Sequence, residues 1–512
     1  MPIAKKLAVS AGLVASIAVV SKFLGFFREI ALAFYFGAGV VTDAYLVATA
    51  IPGFFYFCVG AALTTAFIPV YSKVSASEGA RKEFLGSLLA LIFVVCTVLV
   101  VLLILNAGEL VAFIAPGLDQ EGYNLARRFT QIFAIGIFLT AAINVLTSIL
   151  HVHGLFAVPA LSGLVFSLSV LLSIIFAYQY GVIYLILGPL LGKGLEVVLM
   201  LPFARRAFSG VIPRFQFSDP NIKAIIVLVG PMALGLAGAQ ANLIVDRVFG
   251  SQVESGAISA LSYAFALANV VVSVISVSVA SVIYPSLARM SASQMSGSAI
   301  SLASKALGIV LVWVVPAAAV LAIFREDVVS VVFGRGRFDS VAVENTSVAL
   351  GFYALGIVGL TVREIITRIY YARGKPLFPA LNVLCAAVLN AALTFWWTPL
   401  YGIAGIACAT LVSVCASVLW LAFDALKSLG TSELKQVLVS GGVICLGVAT
   451  AACGLMLFEA VFSLGWLWGL LLFLSLYGLT LFLLREPFSR FSVRMSVQAI
   501  GQVLKSRSGG RR

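Results

Sequence analysis

Charge is the scarcest property of this sequence. Only 10% of its 512 residues are charged, whereas 62% are hydrophobic and the mean hydropathy is +1.12. A typical soluble domain carries about 25% charged residues. One soluble core cannot hide this much apolar surface, so the composition predicts an all-α polytopic membrane protein.

Residues for common enzyme chemistry are also rare. Histidine occurs only at His151 and His153, and the sequence has neither a Walker-type glycine loop nor a nucleophile elbow. The seven cysteines lie in hydrophobic segments without metal-ligand spacing, which argues against a disulfide framework or a zinc site. We therefore predict a protein that is not an enzyme, needs no cofactor and does not hydrolyse ATP alone.

Long apolar runs are what the sequence has in abundance. A helix of about 20 apolar residues crosses the roughly 30 Å hydrocarbon core of a bilayer, and about fourteen such segments are present. The first lacks the short apolar core and small-residue cleavage site of a signal peptide, so we interpret it as a spanning helix.

Basic residues concentrate in alternate loops, which is the positive-inside pattern and predicts that both termini are cytoplasmic. The formal net charge of +13 is explained in this way, without nucleic acid as a partner. The basic C-terminal tail is expected to fix topology and contact anionic lipid headgroups.

Two motifs recur along the chain at nearly the same distance. A shift of 216 residues aligns Pro69 with Pro285, and a shift of 220 aligns the Pro-Ala-Leu run at 159–161 with the one at 379–381. Because the shift spans an even number of helices, the two halves keep one orientation, and a substrate site is expected between them near the midplane. The predicted domains are an N-terminal six-helix lobe (1–215), a C-terminal six-helix lobe (216–430), two extra transmembrane helices (431–486) and a basic cytoplasmic tail (487–512). The extra pair either packs against the rest or forms a lipid-facing groove.

The first hydrophobic segment carries Lys22, Arg28 and Glu29. An ionisable group at membrane depth costs about 2.5 to 3.5 kcal/mol on insertion scales, so such groups normally face a bundle interior or a hydrated cavity. Two cations there would suit an anionic substrate such as a pyrophosphate, which arginine binds through a bidentate fork. We predict that this helix contacts the substrate.

The two cations do not share one face of an ideal helix. Lys22 and Arg28 are separated by about 9 Å along the axis and 240° in rotation, and Gly25 between them can supply a bend. The alternative is that Arg28 pairs with Glu29 or Asp43 and only neutralises a buried charge.

Other polar positions in the apolar helices are weaker candidates. Asp43 is a candidate substrate contact, although Thr42 or Asp43 could instead cap the second helix. Asn242 and Asp246 lie four residues apart, share one face, and could hold a monovalent cation through oxygen ligands. A salt bridge from Asp246 to Arg247 or to another helix is the alternative.

Two further groups of charges lie in later helices. Lys193 and Glu196, three residues apart, are expected to form a local ion pair. Arg363 and Arg368 are candidate substrate contacts in the second lobe, or else extend toward the lipid headgroups.

Several motifs together resemble a known family. The chain is similar to the MurJ (MviN) lipid II flippases, in the superfamily of the MATE exporters and polysaccharide flippases (the MOP superfamily). The similar stretches are SKFLGFFRE (21–29), FGAG (36–39), TDA (42–44), AFIP (66–69), NLIVDR (242–247), RGRFD (335–339) and RIYYA (368–372).

The resemblance implies a flippase that moves lipid II, the undecaprenyl-pyrophosphate-linked peptidoglycan precursor, across the bacterial inner membrane for cell-wall synthesis. It implies alternating access, with Lys22 and Arg28 at cavity-cation positions, Glu29 at an acidic position, and Asp246 near a sodium site. Coupling to Na⁺, H⁺ or the membrane potential would follow. The last two helices would hold the lipid tail, and we expect a monomer.

The sequence departs from this family at two places. Where the family has paired arginines and a glutamate after Ile51-Pro52, this chain has an uncharged, aromatic run (53–59), and Asp-Arg is replaced by Phe265-Ala266. The alternatives are a flippase for another polyprenyl-linked oligosaccharide or a MATE-like, cation-coupled drug exporter. Carboxylates would dominate the cavity of such an exporter, whereas the first helix carries two cations and one acid.

Overall fold

The computed structural model describes residues 2–216, 219–273, 296–372, 377–426, 431–459 and 465–484, and all regular structure in these ranges is helical. The helices are α1 (Pro2–Phe36), α2 (Val40–Val74), α3 (Glu78–Leu105), α4 (Ala107–Ile114), α5 (Gln120–Ala134), α6 (Gly136–Val152), α7 (Ala157–Tyr180), α8 (Tyr184–Ala204), α9 (Pro220–Gly250), α10 (Ala257–Ser273), α11 (Ser296–Ile323), α12 (Arg325–Phe333), α13 (Ser340–Ala372), α14 (Leu377–Leu426), α15 (Thr431–Glu459) and α16 (Trp466–Leu483).

The all-helical, multi-spanning class predicted from composition is confirmed. Among the described residues, eight helices are long and apolar enough to cross a membrane, and a bent pair, α11 with α12, brings this to nine. The two members of that pair meet at 81°. Eight or nine spans in this part of the chain leave the total of fourteen a prediction.

One long helix contains a break that the sequence only hints at. Gly402 in α14 has φ 56° and ψ −130°, a conformation that glycine adopts without the steric cost of a side chain. The break divides α14 into two helical parts, one on each side of Gly402.

The chain forms two compact units. The first comprises residues 1–263, 332–345 and 394–403. One of its cores joins α2, α3, α6, α8 and α9 around Phe67, Tyr71 and Phe84, which are fully buried. A second core joins the first part of α2 to α4, α5 and α6.

The second unit comprises residues 264–331, 346–393 and 404–512. Within it, α15 and α16 pack on α11, and the buried hydroxyl of Tyr477 donates a hydrogen bond to the carbonyl of Val312 at 2.8 Å. Polar contacts join the two parts of α14, where Asn382 and Ser417 exchange hydrogen bonds. The predicted boundaries at 215, 430 and 486 stay predictions, and residues 487–512 and Pro285 lie outside the described residues.

The C-terminal end of α1 is held by contacts between backbones. The N–H of Arg337 donates to the carbonyl of Phe34 at 2.9 Å. Gly37 and Gly336 both have positive φ, 67° and 68°. A Cβ atom would approach the carbonyl of Arg337 to 2.4 Å at Gly37, and that of Phe34 to 2.3 Å at Gly336. Both positions therefore require glycine.

Candidate functional site

The charged centre of α1 is an ion pair. The guanidinium of Arg28 lies 2.8 Å from the carboxylate of Glu29, with 31% of the Arg28 side chain and 20% of the Glu29 side chain exposed. The pairing expected as the alternative is thus present with Glu29. The ion pair is not fully buried, because nearly a third of the Arg28 side chain is exposed.

Lys22 lies apart from this pair. It is exposed, and no acidic side chain of the described residues lies within 4 Å of its ammonium. Gly25 lies between Lys22 and Arg28, and a Cβ atom there would meet no atom of the described residues within 4 Å. The α1 helix nevertheless continues from Pro2 to Phe36 without the interruption that Gly25 could have supplied.

Asp43 is buried and makes three hydrogen bonds. Its carboxylate accepts from the N–H of Gly256 at 2.7 Å, the N–H of Ser259 at 2.8 Å and the hydroxyl of Ser259 at 2.7 Å. Asp43 therefore caps α10, a helix more than two hundred residues away in sequence.

A cap supplied from elsewhere has a physical reason. The residue before α10 is Gly256, which has no side chain to accept the first N–H groups of the helix. Its φ is +91°, and a Cβ there would lie 2.8 Å from the carbonyl oxygen of Ala38. A capping side chain is thus sterically excluded at Gly256, and the carboxylate of Asp43 takes its place.

The expectation that Thr42 or Asp43 caps α2 is wrong. The residue before α2 is Gly39, and no side chain in the described part of the chain caps this end. The hydroxyl of Thr42 donates to the carbonyl of Gly37 at 2.9 Å, and the hydroxyl of Tyr263 donates to the same oxygen at 3.2 Å. Both side chains thus support the turn between α1 and α2.

Asn242 and Asp246 lie one turn apart on α9, as their spacing predicts. The side-chain oxygen of Asn242 is buried and has no hydrogen-bond partner in the described part of the chain. An orphaned buried oxygen beside a carboxylate is a donor set that fits a hard cation.

The ion pair predicted between Lys193 and Glu196 does not form within 4 Å in the described residues. The Lys193 ammonium instead lies over two aromatic rings, 4.8 Å from the centroid of Tyr56 and 5.3 Å from that of Phe166. Glu196 accepts a long hydrogen bond of 3.5 Å from the hydroxyl of Ser162. A spacing of three residues in a helix predicts contact between Lys193 and Glu196, but the rings of Tyr56 and Phe166 attract the ammonium in another direction.

Arg363 and Arg368 lie on α13 in the second unit. Arg368 forms an ion pair with Glu364, one turn earlier, at 2.7 Å. Arg363 is half-buried. Their role as substrate contacts stays a prediction.

In the first unit, α1 brings together Arg28 and Glu29, and Asp43 lies apart from them in the α10 cap. The sequence offered a signal for that cap, since a glycine before a helix leaves the first N–H groups open. The aromatic contacts of Lys193 had no such signal.

Comparison with known proteins identifies the family. The family model described as "Lipid II flippase MurJ" matches residues 32–477. A probable lipid II flippase MurJ of Rickettsia prowazekii is 26% identical over 454 residues, covering 87% of this chain and 88% of the relative. The lipid II flippase MurJ of Burkholderia cenocepacia is 24% identical over 455 residues, covering 86% and 88%.

Solved structures support the same fold. A lipid II flippase MurJ in an inward closed conformation superposes with a TM-score of 0.78 at 23% identity, covering 94% of this chain and 99% of that one. An inward-facing multidrug resistance MATE transporter of the MOP superfamily gives 0.67 at 14% identity, covering 81% and 99%. The helical fold is shared with both, and the sequence match over most of the chain decides between them. This multi-pass membrane protein belongs to the MurJ family of lipid II flippases.

Proposed function

We propose that this protein moves lipid II from the cytoplasmic to the outer leaflet of the bacterial inner membrane by alternating access. The observation that carries the proposal is the match to the MurJ family over residues 32–477, which includes Asp43, Asp246 and most of the spans and begins just after Arg28 and Glu29. The charges on α1 support it, because a pyrophosphate-linked lipid needs cations at membrane depth.

The roles of the α1 side chains follow from their geometry. Lys22, which is exposed and has no acidic partner among the described residues, attracts the pyrophosphate by charge. Arg28 can turn its guanidinium from Glu29 to the phosphate oxygens in a bidentate fork. When the substrate leaves, the Arg28 guanidinium pairs with the Glu29 carboxylate again. No covalent bond is made or broken.

The test is replacement of a resident flippase. In cells depleted of their own lipid II flippase, expression of this protein should restore growth and lipid II in the outer leaflet. If lipid II stays in the cytoplasmic leaflet although normal amounts of the protein reach the membrane, lipid II is not the substrate. Vesicles containing the purified protein then separate the alternatives, since another polyprenyl-pyrophosphate oligosaccharide or a cationic drug would move instead.

The driving force is proposed to be a cation gradient or the membrane potential. One elementary charge crossing 100 mV gains about 2.3 kcal/mol, which shifts a two-state equilibrium roughly fiftyfold. Asn242 and Asp246 would hold the cation if it is Na⁺. Replacing Na⁺ by choline in vesicles should then slow flipping in the wild type but leave Asp246→Asn, already slow, unchanged. Equal rates in Na⁺ and choline for the wild type would contradict this assignment.

The positive-inside pattern supports cytoplasmic termini. Both α1 cations, Lys22 and Arg28, belong to one helix of one chain, which supports a monomer as the working unit.

A further inference from the structure

Lys193 is an intramembrane cation that the α1 site does not include. It and Glu196 are the only charged residues in α8, and α2 has none between Asp43 and Lys73. Burying an ammonium in an apolar segment is unfavourable, and such residues usually serve a substrate or ion pathway. Lys193 has no carboxylate within 4 Å among the described residues, so a simple ion pair does not account for it.

The packing of α1 against α7 gives the depth of Lys193 relative to the α1 cations. A Cβ at Gly163 of α7 would lie 3.8 Å from the hydroxyl of Ser21 of α1. Further along the same two helices, the rings of Tyr35 and Tyr178 lie 5.1 Å apart. The helices therefore run parallel, in a register that places Phe166 level with Leu24.

The same register fixes the depth of the Lys193 ammonium. Phe166 is one of the two rings over which Lys193 lies, and a Cβ at Gly192 would be 3.0 Å from its ring. Since Leu24 falls between Lys22 and Arg28, the Lys193 ammonium lies at the depth of the interval between the two α1 cations. All of these residues belong to the first compact unit.

The rings of Tyr56 and Phe166 hold the ammonium without neutralising it. A ring face attracts a cation through its quadrupole but carries no net charge. Glu196, three residues further along α8, attracts the ammonium from beyond 4 Å. An anion that reaches Lys193 therefore meets a cation that no carboxylate of the described residues contacts directly. A pyrophosphate carries more charge than one cation can balance, and Lys193 adds a third cation within the interval of about 9 Å that Lys22 and Arg28 span along α1.

We propose that Lys193 is a third cation of the headgroup site, held by Tyr56 and Phe166 until the pyrophosphate arrives. This inference rests on the proposed function, because it names a further contact for the same polyprenyl-pyrophosphate substrate.

The test measures binding of undecaprenyl pyrophosphate, with undecaprenol as the uncharged comparison. Lys193→Met should weaken binding of undecaprenyl pyrophosphate about tenfold or more and leave undecaprenol binding unchanged. Lys193→Arg, which keeps the charge, should bind within about threefold of the wild type. Lys223→Met, which removes an exposed lysine on α9, serves as the matched control with unaltered binding.

A second measurement uses the wild-type chain and needs no variant to fold. Acylation of Lys193 by a water-soluble lysine reagent, read by mass spectrometry, should fall when undecaprenyl pyrophosphate is added and stay the same with undecaprenol. If Lys193 is not labelled without ligand, or is labelled equally with both lipids, the proposal is overturned.

The outcomes separate this inference from the proposed function. If Arg28→Ala weakens binding but Lys193→Met binds as the wild type does, Lys193 is a structural residue and the flippase proposal stands. If the wild type itself does not distinguish undecaprenyl pyrophosphate from undecaprenol, both proposals fail together.

Discussion

Replacing Arg28 by alanine should abolish rescue of flippase-depleted cells and slow lipid II flipping in vesicles by about 10- to 100-fold. Hydrogen bonds to a charged group contribute about 1.5 to 3 kcal/mol each, and about 1.4 kcal/mol is tenfold in binding. Arg28→Lys should recover part of the activity, because lysine keeps the charge but not the planar fork. Flipping rates at equal protein levels measure the effect.

The ion pair with Glu29 requires a control. Arg28→Ala leaves the partly buried Glu29 carboxylate without its partner at 2.8 Å, and this alone could disturb α1. The double variant Arg28→Ala/Glu29→Gln removes both charges. We expect it to be as inactive as the single variant; if it regains wild-type flipping, the pair is structural and Arg28 does not bind the headgroup.

The second large effect is expected at Asp43. Asp43→Ala removes the acceptor of three hydrogen bonds and leaves two backbone N–H groups at the start of α10 buried without a partner. An orphaned buried donor costs about 1 to 3 kcal/mol, so the loss of stability should be on the order of 3 kcal/mol. Thermal unfolding in detergent should show a clearly lower midpoint together with lost flipping.

Asp119 offers a matched control for this experiment. Its carboxylate also caps a helix, α5, but through one bond to the N–H of Gly122 at 2.8 Å and from an exposed position. Asp119→Ala should cost only about 1 kcal/mol. Equal unfolding midpoints for Asp43→Ala and Asp119→Ala would show that the buried cap of α10 is not the stronger one.

The Asp43 cap also bears on the proposed repeat. Asp43 and Ser259 are separated by 216 residues, the shift that aligns Pro69 with Pro285. The predicted repeat would therefore make Asp43 and Ser259 equivalent positions of the sequence.

Much of the architecture could be predicted because it depends on local properties. The apolar length of each segment predicts the helices, and the free-energy cost of a charge at membrane depth identifies Lys22 and Arg28 from the sequence alone. The pairing of Arg28 with Glu29 is one of the alternatives that the sequence leaves open, and the length of the arginine side chain lets it reach the adjacent carboxylate although i,i+1 positions do not face each other on a helix.

Contacts between distant helices could not be predicted in the same way. The partners of Asp43 depend on how α2 meets α10, and those of Lys193 on how α8 meets α2 and α7. In the case of Lys193, the expected partner was close in sequence and the actual ones are rings on two other helices. The position of the break in α14 likewise depends on one glycine among many in the chain.

The interlocked glycines at the end of α1 limit where this helix can move. Gly37 and Gly336 bring two backbones so close that neither can slide without losing the bond from Arg337 to Phe34. Any tilt of α1 that keeps this bond must therefore pivot at the contact between Gly37 and Gly336, and it would displace the cations Lys22 and Arg28, which lie on the N-terminal side of that pivot.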